Sequence, residues 1–141
     1  MIQIHEFTYA GPDDYARVNH MRTEYNAFRT GKGLISLSWH EGAARVAEAH
    51  AKDMHTRGFF SHTNPEGQNQ GDRLRAAGIR CYAAENIGGG AFEAPPLLAA
   101  WVASSNPQHL ANLLLVPPQF THYAIGRWQT YWAILWLGGL S

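Results

Sequence analysis

The sequence predicts an α+β fold in which helices are layered on a sheet. Helical patterning fills the first part of the chain, while two β-patterned runs at its end pair as a hairpin. The final run, Tyr131 to Gly138, is nearly all apolar, which suits a central strand covered on both faces. The 141 residues suit one domain, 1–141, with its core at about 12–138.

The first helix is expected from about Pro12 to Arg29. Pro12 fits the first helical position, and Asp13 and Asp14 complement the positive end of the dipole. Val18, Met21, Tyr25 and Phe28 recur at three- and four-residue steps and are expected to face the core, and Gly31 and Gly33 end the helix. A second helix runs from about His40 to Arg57. Its stripe of Ala43, Val46, Ala47, His50, Ala51 and Met54 is mostly small, so another layer can approach closely.

Phe59 to Gly67 reads as an aromatic start followed by turn residues. A short helix is expected from Asp72 to Ala77, closed by Gly78, and a strand over residues 79–88 leading into Gly88-Gly89-Gly90. Pro95-Pro96 opens a third long helix. Asn106 caps a short one with Pro107 at its first position, and Pro117-Pro118 ends it. Strands over His122–Trp128 and Tyr131–Gly138 are joined by Gln129-Thr130.

Composition excludes several classes. Hydrophobic residues make up 45% and charged residues 16%, which rules out a disordered chain. Eleven basic residues balance eleven acidic ones, so there is no electrostatic footprint for nucleic acid. No apolar run is long enough for a transmembrane segment. Met1 to Gly11 lacks the pattern of a signal peptide, so the chain is expected to be either a mature or trimmed form or an internal protein. Cys81 is the single cysteine, so no internal disulfide forms.

A series of short motifs carries a family resemblance. In order they are Asn19-x-x-Arg22, Gly33-Leu34, Leu37-Ser38-Trp39, Ala49 to Met54, Phe60-Ser61-His62 and Asp72-Arg73-Leu74. Ala84-Glu85-Asn86-Ile87, Trp101-x-x-Ser104, His109-x-x-Asn112 and Phe120-Thr121-His122 follow, leading to Gly126. Each is weak alone; together, in order, they resemble the CAP superfamily of cysteine-rich secretory, antigen five and pathogenesis-related proteins, in the cysteine-poor SCP-like form of bacteria. The resemblance implies a single-domain α-β-α sandwich, and a location that is extracellular or in the cell envelope.

It also implies a cleft with two His and two acids. His62, Glu85 and His109 fall on three of those positions, and Ser104 stands at the fourth. Two imidazoles in one cleft can hold zinc or another divalent ion, with water completing the shell. Glu85 can ligate, orient a His or accept a proton from bound water, and Ser104 can hydrogen-bond to that water or to a His. His62, His109 and Glu85 are therefore the expected metal ligands. With Ser104 they are also the candidates for any catalytic role; no other cofactor is expected. Glu85→Gln is expected to fold and to weaken ion binding.

The alternatives are plain ones. An acid within an apolar strand is costly to bury alone, so Glu85 and the two His can equally form a structural network. His50 reads as a core histidine, and His122 as bonded to backbone. Asn19 and Arg22 read as structural ties, Cys81 as unreactive, and Gly88 to Gly90 as a strand exit. Trp128, Tyr131, Trp132 and Trp136 read as core, with alternate ones available to form a binding surface. Three functions follow: a module binding an unknown lipid, glycan or protein, a structural scaffold, and a metal-assisted hydrolase. They rank in that order.

Overall fold

The computed structural model describes residues 12–90 and 94–141. Met1 to Gly11 lies outside the described residues, as do the side chains of Asp13 and Asp14. The elements are α1 (Pro12–Gly31), β1 (Ser38–Trp39), α2 (Glu41–Arg57), α3 (Gln70–Ala76) and β2 (Tyr82–Gly88). They continue with α4 (Ala94–Val102), α5 (Pro107–Leu113), β3 (His122–Trp128) and β4 (Tyr131–Gly138). The strands form one sheet in the order β1-β3-β4-β2. β1 runs parallel to β3, and the other neighbours are antiparallel.

The fold is the expected α+β sandwich, and β4 occupies the centre that its apolar sequence demands. Its residues alternate strictly between two cores. Trp132, Ile134 and Trp136 join Val18, Met21, Tyr25 and Leu97 beneath α1 and α4. Ala133, Leu135 and Leu137 join Ala43, Ala47, Met54 and Leu74 beneath α2 and α3. Burying a side chain of this size contributes roughly 1.5–3 kcal/mol.

The α2 stripe is buried as expected, and its small residues let the helix lie close on β3. A Cβ on Gly126 would collide with the backbone of Ala47 and Glu48. Gly58 closes α2 in the left-handed conformation, at φ 70°.

Three boundaries differ from the sequence reading. His40 is not in α2 but caps it, its Nδ1 accepting the Ala43 N–H at 3.0 Å. The third helix starts at Gln70 because Asn69 and Asp72 form a reciprocal capping box, which makes Asp72 its third residue. β2 begins at Tyr82, not 79, because the Ile79 N–H is still held by the Leu74 carbonyl.

β2 is an edge strand, and its outward carbonyls are capped by side chains. Gln70 Nε2 donates to Ala83 O at 3.2 Å, Asn112 Nδ2 to Glu85 O at 3.2 Å, and Trp101 Nε1 to Ile87 O at 3.1 Å. The donors come from α3, α5 and α4, so helices from both layers converge on this edge.

Candidate functional site

Consecutive residues of β2 point to opposite faces. Glu85 faces α3 and the loop after α2, whereas Asn86 faces α5. Glu85 Oε1 lies 2.8 Å from His62 Nδ1. Arg73 clamps the same carboxylate with both terminal nitrogens, Nη1 to Oε2 at 3.1 Å and Nη2 to Oε1 at 3.0 Å. Arg73 Nη2 also donates to the His62 carbonyl at 2.7 Å. The Glu85 side chain is fully buried and that of Arg73 nearly so, while the His62 side chain is 46% exposed. Arg73 therefore neutralises the buried charge and fixes the loop that carries His62.

On the other face, Asn86 Nδ2 donates to the His109 carbonyl at 3.0 Å. Asn112 Nδ2 also donates to Asn86 Oδ1 at 2.9 Å, and Gln108 Nε2 donates to Asn112 Oδ1 at 2.7 Å. This buried amide chain seats α5 on β2. His109 Nδ1 lies 2.9 Å from Ser104 Oγ, and that hydroxyl also accepts the Asn106 N–H at 3.1 Å. Burial holds the His109 imidazole below the usual histidine range, and the neighbouring His62 ring adds to the effect. The His62 ring is thus near enough to act on His109 electrostatically.

His109 and Ser104 line a cavity of about 450 Å³. Its other walls are Phe60, Leu97, Trp101, Tyr131 and the backbone of Gly88 to Gly90. The glycines let these walls fit closely. A Cβ on Gly88 would press into Leu97, and one on Gly89 would crowd the Phe60 ring. Phe60 is 57% exposed at the mouth.

The structure thus brings together His62 with Glu85, and His109 with Ser104, and couples the two pairs electrostatically. The zinc set implied by the resemblance fits poorly. Among the described residues no three His, Cys, Asp or Glu side chains form a group able to hold a metal ion. Glu85 Oε1 already faces both Arg73 and His62 and Oε2 faces Arg73, and the side chain is closed to solvent, so the carboxylate is occupied as a counter-ion rather than presented as a ligand.

Sequence reasoning missed Arg73, whose motif was visible but whose partner was not. His50 is buried as expected, with Nε2 2.8 Å from Ser61 O. His122 departs from its expected backbone bond: Nδ1 lies 2.7 Å from Thr121 Oγ1, and the ring packs against His40. Arg22 stacks over the Trp39 ring at 3.9 Å, tying α1 to β1. Burial pushes the Cys81 thiol up, away from reactivity. Of the four late aromatics, Trp132 and Trp136 are core, while Trp128 and Tyr131 are partly exposed.

An edge-strand Glu paired with one imidazole, with a second imidazole within electrostatic reach of the first, on an α-β-α sandwich, defines the class. Residues 22–132 match the model of the cysteine-rich secretory protein family, CAP, and the chain belongs to that family. It is 28% identical over 108 residues to YlbC, an uncharacterized membrane protein of Bacillus subtilis, covering 76% of this chain and 30% of that protein. Among solved structures it is similar to an extracellular protein containing an SCP domain from Bacillus anthracis. That match has a TM-score of 0.81 and 27% identity, over 90% of this chain and 43% of the other. An outer surface protein of Borrelia burgdorferi shares the fold, with a TM-score of 0.76 and 18% identity, over 87% of this chain and 92% of the other. The chain thus spans less than half the length of both Bacillus relatives.

Proposed function

We propose that this chain is a ligand- or partner-binding module of the cell exterior, and that the cleft at the β2 edge receives the ligand. One observation carries the reading: both cleft imidazoles are anchored through Nδ1, His62 on Glu85 and His109 on Ser104. Among the described residues neither Nε2 has a hydrogen-bond partner, so each ring is oriented with its second nitrogen available to a ligand. The cavity that His109 lines, with Phe60 from the loop that carries His62, has largely apolar walls, which suits a ligand with an apolar body and a polar head.

Glu85 is sealed from solvent and paired twice, so it cannot reach a water to act as a general base. This weighs against the hydrolase reading. An exterior location is supported by the extracellular Bacillus anthracis protein and the Borrelia burgdorferi outer surface protein. No described helix is long and apolar enough to cross a membrane.

The test is a titration of isotope-labelled protein with a medium-chain fatty acid and, separately, a chito-oligosaccharide, following the imidazole signals of His62 and His109. Saturable shifts in both rings together with Phe60 and Tyr131 support the reading. Rings that stay unmoved by either ligand, and by a fraction of cell-envelope proteins, reject the cleft as a binding site.

A further inference from the structure

A larger cavity lies behind the loop that carries His62. It measures about 860 Å³ and runs between α2, the 58–69 loop and α3. Two nearly buried side chains on its wall have unmet hydrogen-bonding groups. His50, 2% exposed, and Arg73 each leave one nitrogen, Nδ1 and Nε respectively, with no partner. Such groups are uncommon in folded proteins and call for a specific explanation.

Their chemistry is complementary. His50 Nε2 faces the Ser61 carbonyl, which can only accept, so Nε2 carries the ring proton. Burial holds His50 below the usual histidine range, the Glu85 charge opposing and the Arg73 charge adding, so the ring is neutral and Nδ1 is a bare acceptor. Arg73 has spent both terminal nitrogens on Glu85 and the His62 carbonyl, which leaves Nε–H as a donor. A carboxylate cannot donate to Nδ1, and an ammonium cannot accept from Nε–H. A hydroxyl does both.

The rest of the cavity narrows the ligand further. Val46, Ala49, Ala76 and Ile79 give an apolar floor suited to the C–H face of a ring. Arg57 is already held by Asp53 and Glu66, Arg45 by Glu41 and Arg73 by Glu85, so Lys52, over the Trp128 ring, is the wall cation left among the described residues to meet a negative charge. We propose that the groove between α2 and α3 is a second binding site, for a hydroxyl-bearing acidic sugar, with one hydroxyl seated between Arg73 Nε–H and His50 Nδ1. The site shares Arg73 with the cleft at the β2 edge, through its clamp on Glu85 and the His62 carbonyl. Both nitrogens are closed to solvent in the free chain, so seating the hydroxyl draws the two side chains toward the groove. The His50 ring reports that movement.

The experiment follows the imidazole nitrogens of His50 by NMR while the chain is titrated with D-glucuronate, D-glucose and acetate. Glucuronate is expected to shift Nδ1 saturably. Glucose, lacking the charge, shifts it with affinity weaker by up to about fivefold, the scale of one exposed charge pair. Acetate leaves it unmoved. Ala49→Trp fills the groove from an exposed position and is expected to abolish the glucuronate shift. Lys52→Glu, also exposed, weakens glucuronate and spares glucose. An Nδ1 signal that already reads as hydrogen-bonded and is moved by neither sugar would mean a trapped water, and overturns the site. So does a response to acetate equal to that of the sugars, or a response that survives Ala49→Trp.

Discussion

Arg73 and Glu85 form a two-pronged ion pair within the domain, with contacts of 3.0 and 3.1 Å and the carboxylate wholly buried. The pair joins α3 to β2, and the carboxylate also anchors His62, so a structural element and the candidate cleft share one charge.

Removing that charge costs more than the sequence suggests. Glu85→Gln leaves the Arg73 guanidinium buried without its counter-ion and is expected to destabilise by about 3 kcal/mol, the lower end for breaking a buried pair. Glu85→Leu combined with Arg73→Met is expected to recover much of the loss. Urea denaturation of the single and double variants measures this. Equal destabilisation in both would show that the pair's charge balance is not what matters.

The same commitment bears on metal binding. If zinc binds at the cleft, the two imidazoles supply the protein nitrogens. Calorimetry is then expected to show affinity lost in a His62→Ala, His109→Ala variant, yet within about twofold of wild type in Glu85→Gln, provided that variant is folded. A tenfold or greater loss in Glu85→Gln would make the carboxylate a ligand after all.

The amide chain on the other face is equally testable. Asn112→Ala strips donors from the Glu85 carbonyl and from Asn86 Oδ1, and removes the acceptor for Gln108. Leaving such groups unmet is expected to cost about 2 kcal/mol. Hydrogen exchange is expected to quicken in α5 and β2 before the rest of the sheet.

Packing of α2 on the sheet depends on the missing side chain at Gly126. Gly126→Ala drives a methyl into the Ala47–Glu48 backbone, where no side-chain rotation relieves it. A loss of about 3 kcal/mol is expected, at the upper end for overpacking, and thermal denaturation reads it.

Acid is expected to destabilise the chain through its histidines. His40, His50 and His109 are all held below the usual range, chiefly by burial, with His122 acting on His40 and His62 on His109. The unfolded chain takes up these protons near pH ~6.5, before the folded chain does. Stability is therefore full above that point and falls as pH drops through the depressed folded values. His40→Asn keeps a capping side chain without a titrating ring. It is expected to cost under about 1 kcal/mol at pH 8 and to flatten the acid slope.

Much of this architecture was legible in the sequence, because it depends on local periodicity. The alternation in β4 and the small stripe of α2 state which residues are buried without reference to any partner. β1 was not legible as a strand. Its two residues are defined by the pairing of Ser38 with His122 and of Trp39 with Tyr123, across eighty-four positions. Arg73 shows the same limit within the site. The motif around it was visible, and so was the need of Glu85 for a partner, but only the fold brings α3 against β2. The resemblance supplied His62, Glu85, His109 and Ser104 as a set. The structure divides them into two hydrogen-bonded pairs, His62 with Glu85 and His109 with Ser104.

The capped carbonyls of Ala83, Glu85 and Ile87 limit how anything can attach at this side of the molecule. An extended segment that docks by prolonging a sheet needs free carbonyls along the edge, and here side chains from three helices already occupy them. At the opposite edge β1 covers only two residues of β3, so the outer side of β3 from Ala124 to Trp128 has no strand paired with it among the described residues. A partner that meets the β2 side must therefore recognise side chains and surface shape, and any docking by sheet extension is left to the β3 side.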